Sequence, residues 1–127
     1  MVKFAPIKCY GETRTGKVNH ERTVVNGIEF DSLAERDRYL ELLVMEKAGI
    51  ITDLECHPRY EIIPPQKVPG HPSFRAAHYT ADFRYKRDGV EHVEDVKSTY
   101  TREEKDYILR RKMLYYRHGI YVEEIVR

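Results

Sequence analysis

What this chain lacks narrows it first. It has no strong net charge, since 22 lysines and arginines face 21 acids and leave +1 with histidines neutral. Composition alone therefore does not announce a nucleic-acid binder. Cysteine is scarce. Cys9 and Cys56 have no close spacing, which excludes a zinc pattern and a disulfide framework and fits a reduced cytoplasm. The six histidines show no ligand spacing and are assigned no metal. No apolar run approaches the ~20 residues that span a bilayer. The opening MVKFAPIKCYGETRTGKVNH has no apolar core of a signal peptide. There is no internal repeat and no low-complexity segment. A cytoplasmic protein without a membrane segment is expected, with its 127 residues forming a single domain around one core.

What is present is unevenly spread. Residues 1–22 carry Lys3, Lys8, Arg14, Lys17 and Arg22 against Glu12 and Glu21. Arg102, Lys105, Arg110, Arg111, Lys112 and Arg117 cluster near the other end, and the middle is acidic. The first stretch, about residues 1–20, reads as a basic arm of low periodicity. RTVVNGIEF (22–30) reads as a hairpin turning at Asn26-Gly27. FDSLAERDRYLELLVMEKAGI holds a helix at 33–48 with an apolar stripe of Leu33, Leu40, Leu43, Val44 and Ala48. Ser32 is its N-cap, Glu35 completes an S-x-x-E capping box, and Gly49 stops it. ITDLECHPRYEII (51–63) gives one or two short strands. Four prolines and a glycine make 64–73 a loop, free to cover a site.

HYTADFRYK (78–86) alternates, with Tyr79, Ala81, Phe83 and Tyr85 on one face and His78, Thr80, Asp82 and Arg84 on the other. Asp88-Gly89 turns the chain into VEHVEDVK (90–97). TREEKDYILRRKMLYYRHG (101–119) is a second helix, capped by Thr101 and ended by Gly119, and IYVEEIV (120–126) is a last strand. This order predicts an α/β or mixed α+β fold around a central sheet, with parallel pairing and a right-handed crossover over 90–126.

A two-residue turn at Asp88-Gly89 fixes a register in which Arg87 pairs with Val90. Asp82 then opposes Asp95, Thr80 opposes Lys97, and Asp95 and Lys97 share a strand face. Two opposed carboxylates repel unless something compensates, and carboxylate oxygens are what magnesium prefers. A three-residue turn would instead bring Glu94 to Asp82. Against the metal reading stands an exposed hairpin with Lys97 paired to Asp95. Glu94 points to the other face and reads as a solvated or core-edge acid.

Asp82, then Asp95, one residue, and Lys97 resemble the D…(D/E)-x-K signature of the PD-(D/E)XK nuclease superfamily. The flanking FDSLAERDRYLELLVMEKAGII, LECHPRYEIIP, YTADFRY, DG and VEDVK resemble a family of small phage-encoded proteins described as Holliday junction resolvase-like. The likeness covers roughly residues 18–126. It implies a restriction-endonuclease-like core and a Mg²⁺-dependent endonuclease of branched DNA, acting in recombination, replication or packaging as a homodimer. Mn²⁺ would substitute. By position, Asp82 and Asp95 match the metal-binding acids, with the Val96 carbonyl as a further ligand. Lys97 matches the catalytic lysine, which orients or deprotonates water or holds a phosphate oxygen. Glu35 matches a helix glutamate that joins such sites, directly or through water; its other reading is the helix cap alone. Ala81 stands where the signature has proline, and Ser98 where many relatives have glycine.

Lys105, Arg110, Arg111 and Lys112 on the second helix are candidate phosphate contacts, beside Tyr107, Ile108, Met113, Leu114 and Tyr115, which read as packing residues. Lys8, Arg14 and Lys17 of the arm either join them or belong to a tail. Two other functions fit the same residues. One is a nuclease of this fold for linear or single-stranded DNA. The other is a DNA-binding accessory protein without turnover.

Overall fold

The computed structural model describes the backbone of residues 8–10 and 20–127, with side chains from residue 22 onward. Arg14 and Lys17 lie outside the described residues, as does the side chain of Lys8. The fold is mixed α+β and divides into two compact units, residues 1–49 and 50–127.

The first unit starts with β1 (Lys8–Tyr10), so part of the expected arm is a strand, antiparallel to β2 (His20–Val25). β2 turns into β3 (Ile28–Phe30) through Asn26 and Gly27. Both turn residues have positive φ, 53° and 77°, as a tight hairpin turn of this hand requires. Helix α1 (Leu33–Lys47) follows. Ser32 Oγ accepts the Glu35 N–H at 3.1 Å, the first half of the capping box. The stripe it buries is not the expected one. Tyr39 and Leu42 are buried, with Tyr39 against Phe30 at 4.9 Å between ring centroids, whereas Val44 and Ala48 are exposed. Tyr39 is amphipathic, so a stripe of purely apolar residues does not include it. Its hydroxyl takes a hydrogen bond from Asn26 at 3.2 Å while its ring packs.

The second unit carries a four-stranded sheet in the order β4 (Thr52–Cys56), β7 (Phe83–Arg87), β8 (Val90–Lys97), β9 (Val122–Val126). β8 and β9 are parallel, as the strand–helix–strand order predicted, and the other neighbours are antiparallel. A separate ribbon pairs β5 (Arg59–Ile63) with β6 (Ala77–Thr80). Between them, the proline-rich loop is tied by a main-chain bridge from Gln66 to Phe74. The β7–β8 register is the expected one, Arg87 on Val90 through Phe83 on Glu94.

Two expectations about the elements of the second unit fail. The stretch 78–86 is not one strand. It breaks at Ala81-Asp82, so Thr80 pairs with Arg59 in the ribbon and not with Lys97. Tyr79 and Ala81 go into one core with Val93, Leu114 and Val122. Phe83 lies on the opposite face with its cross-strand partner Glu94, since successive residues of a strand face opposite ways. The second helix, α2, spans Lys105–His118 and is not capped by Thr101. Thr101 instead opens a 3₁₀ turn (Thr101–Glu103), in which Ser98 and Thr101 exchange side-chain to main-chain hydrogen bonds of 2.9 and 3.0 Å. A serine after the lysine thus fastens the turn leading into α2.

Gly119 ends α2 in the left-handed region, φ 69°, and its N–H reaches the Tyr115 carbonyl at 2.8 Å. A Cβ there would meet open space. Gly119→Ala should therefore cost only the backbone penalty, about 1 kcal/mol, with Gly119→Asn costing less. Urea unfolding of the three proteins would show this order, and an alanine variant as stable as the parent would contradict it.

Candidate active site

The break at Ala81-Asp82 builds the site. Ala81 N–H donates to the Pro58 carbonyl at 3.0 Å, and His57 N–H donates to the Asp82 carbonyl at 2.9 Å. Asp82 is thereby pinned beside the end of β8. Its own N–H is shared between the Glu94 carbonyl at 3.1 Å and Asp95 Oδ1 at 2.9 Å. Its carboxylate Oδ2 accepts the Val96 N–H at 2.7 Å. The Tyr79 hydroxyl donates to Asp95 Oδ2. The expected juxtaposition of Asp82 with Asp95 is present, and each carboxylate is held by a main-chain N–H from the other's segment.

Asp95 is 3% exposed. Burial, then the neighbouring charge of Asp82, push its carboxyl up, while the hydrogen bonds from Tyr79 and the Asp82 N–H and the positive charge of Lys97 pull it down. The net is a rise from 3.8 to about 6. At about 1.4 kcal/mol per pH unit, desolvation and repulsion win by roughly 3 kcal/mol. The same surroundings, with burial first and Asp95 second, raise the Tyr79 phenol, so it stays a donor.

Lys97 lies two residues on, on the Asp95 side of β8, with Nζ 4.3 Å from the centre of the Tyr107 ring. The Tyr107 hydroxyl donates to Glu124 Oε2 at 2.8 Å. Glu124 pairs with Asp95 across the parallel β8–β9 ladder and also meets Arg102 at 3.2 Å and Arg111 at 3.8 Å. Burial, then this hydrogen bond, raise the Tyr107 phenol. A polar cleft of about 290 Å³ opens here, with Asp95, Lys97, Tyr107 and Arg110 in its wall.

Sequence reasoning missed four members of this neighbourhood. Tyr107 reads as a packing residue and Tyr79 as part of an alternating strand face; both pack, but their hydroxyls are spent on the acids. Glu124 joins only through the register of the parallel β8–β9 pair, which no local pattern carries. His57 has no ligand spacing, yet the β4–β5 corner brings a ring nitrogen within 4.8 Å of an Asp82 carboxylate oxygen. Glu94 corrects the expectation of a solvated or edge acid. It is 1% exposed, and the Tyr85 hydroxyl donates to it at 2.5 Å.

The donor set suits a hard divalent cation. It offers two carboxylates whose mutual repulsion a cation relieves, with the His57 ring nitrogen beside Asp82 as a further donor. The Val96 carbonyl fits as well. A strand residue directs its N–H and C=O to the same side, and the Val96 N–H points to Asp82. Glu35 belongs to the first unit, and its role as a ligand remains with the resemblance.

The candidate DNA contacts divide. Lys105 and Lys112 are exposed. Arg110 is half-buried and donates to the His78 carbonyl. Arg111 donates to the Val122 carbonyl from Nε at 3.2 Å and from a terminal nitrogen at 2.5 Å, tying α2 to β9.

Residues 15–126 match the profile of a family described as "Protein of unknown function (DUF1064)". No curated protein and no solved structure matches the chain. No helix among the described residues is long and apolar enough to cross a membrane.

The Asp95 shift has a defined sign. A carboxyl raised from 3.8 to about 6 favours the folded state fully below about pH 4, and that contribution is lost as pH rises to about 6. In chelator, parent stability should fall by about 2–3 kcal/mol over that window. Asp95→Asn should lack the fall and melt higher near neutral pH. Identical pH profiles for the two proteins would show that Asp95 is not the strained group.

Proposed function

The chain belongs to the DUF1064 family, and we propose that it is a metal-dependent DNA endonuclease that resolves branched DNA. The observation that carries the proposal is the Asp82–Asp95 pair, two main-chain-anchored carboxylates, with Asp95 and Lys97 lining a polar cleft. A binding module has no need to bury an aspartate against another, where burial and repulsion both push its carboxyl up. A nuclease does, because a repelling acid pair is a cation site in waiting.

Asp82 and Asp95, with the Val96 carbonyl, would hold Mg²⁺, and Mn²⁺ in its place. The bound ion supplies charge for the phosphate and a water of lowered pKa. The chain's own groups set the rest. Tyr79 fixes the Asp95 carboxylate by its hydroxyl. Lys97, held over the Tyr107 ring, offers its ammonium to a phosphate oxygen or to the attacking water. Lys105 and Lys112 give sequence-independent phosphate contacts. Cutting a junction symmetrically calls for two such sites, so a homodimer acting in the cytoplasm belongs to the proposal.

The test is cleavage of a labelled four-way junction and a matched linear duplex, each with Mg²⁺ and with chelator. Paired symmetric cuts near the branch, on the junction alone and with metal alone, are the expected outcome. Cutting of both substrates would keep the nuclease and remove its branch preference. Retained binding without cutting would leave an accessory DNA-binding protein. Asp95→Asn should lower the rate by roughly a thousandfold or more and leave DNA affinity nearly unchanged. Full activity in that variant would remove Asp95 from the site.

A further inference from the structure

A second surface of the same unit gathers exposed aromatic rings and a cation at the α2–β9 junction. Lys112, Tyr115 and Tyr116 stand at helical spacings of three and four on the C-terminal half of α2, so they share a face. Tyr121 follows the Gly119 stop at the entry to β9, the edge strand of the sheet. Tyr115, Tyr116 and Tyr121 are 59%, 91% and 67% exposed. The Arg111 guanidinium lies 4.7 Å from the Tyr121 ring centre. An open, mainly apolar cavity of about 610 Å³ sits here, walled by Tyr115, Ile120 and Tyr121 with Arg111 and Lys112, and no acid lines it.

We infer that this surface is a stacking platform for single-stranded DNA, with bases against the Tyr115 and Tyr121 rings and a phosphate on Lys112. Exposed rings call for a ligand with flat faces, and the exposed Lys112 ammonium calls for an anion. A single strand supplies both at the spacing of one nucleotide, whereas a duplex hides its base faces. A second copy of the chain fits poorly, because an apolar patch with no acid in its lining offers nothing to pair the Lys112 of that copy. The platform also adjoins the acids. Arg111 reaches Glu124, and Glu124 is the ladder partner of Asp95. Unpaired bases at a branch could thus be held one strand away from the cutting site. The inference rests on the proposed DNA-acting role for the identity of its ligand.

The experiment is fluorescence anisotropy of the full chain in chelator with a labelled thymidine oligomer of about ten nucleotides. Tyr115→Ala and Tyr121→Ala should each weaken binding about tenfold, and the matching phenylalanine variants should bind like the parent. An abasic oligomer of equal length should bind the parent as weakly as the alanine variants bind thymidine. Lys112→Ala should reduce the slope of log affinity against log salt by about 0.7. Equal affinity for the abasic oligomer, or alanine variants that bind like the parent, would overturn the platform. So would self-association in sedimentation that Tyr121→Ala abolishes, which would make the face a contact between copies. Melting curves of these exposed-site variants check that each is folded. Cleavage enters none of these readouts. A chain that binds bases and never cuts would keep the platform and lose the nuclease, and the reverse result would do the opposite.

Discussion

Asp82 lies just outside a strand and Asp95 well inside one. What joins them is an exchange of main chain for side chain. The Asp82 N–H serves the Asp95 carboxylate, and the Val96 N–H serves the Asp82 carboxylate. Hydrogen bonds to charged groups contribute about 1.5–3 kcal/mol each, enough to hold the pair together but not to cancel burial and repulsion. The break in 78–86, held by bonds to Pro58 and from His57, is what makes that exchange possible. If Asp82 continued the strand as an ordinary ladder residue, its side chain would lose the Val96 N–H.

The α2 side of the site is organised by a second acid. Glu124 collects the Tyr107 hydroxyl, Arg102 and Arg111, and Tyr107 in turn lies under the Lys97 ammonium. The lysine is therefore set by an aromatic face and not by a carboxylate. This leaves its charge available to the cleft while keeping it near Asp95. Arg110 and Arg111 illustrate a competing demand. Cations that read as phosphate contacts along the chain are used to bind carbonyls of β6 and β9. Lys105 and Lys112, more exposed, are left for solvent or a ligand.

Much of the architecture was legible because it depends on local signals. Asn26-Gly27 and Asp88-Gly89 set hairpins, Ser32 and Gly49 bound α1, and the second turn fixed the β7–β8 register that brings Asp82 toward Asp95. The strand break was not legible, because Ala81-Asp82 continues a clean alternation and the bonds that interrupt it come from Pro58 and His57. Glu124 and His57 needed tertiary register, which no local pattern carries. Tyrosines defeated a simple apolar count, since Tyr39, Tyr79 and Tyr107 bury their rings and commit their hydroxyls at once.

The anchoring of both acids and the lysine within residues 82–97 also orders assembly. One hairpin encloses them, and contacts of short sequence separation carry the least loop-closure entropy. A hairpin forms in roughly 1–10 μs. The parallel β8–β9 pairing must instead wait for the chain to cross over through α2, between Lys97 and Val122. On this topology the repelling pair is gathered early, while still hydrated, and is dried only when α2 and β9 close over it. The energetic penalty of Asp95 then falls on the last stage of folding, and with it the sensitivity of that stage to pH and to any cation in solution.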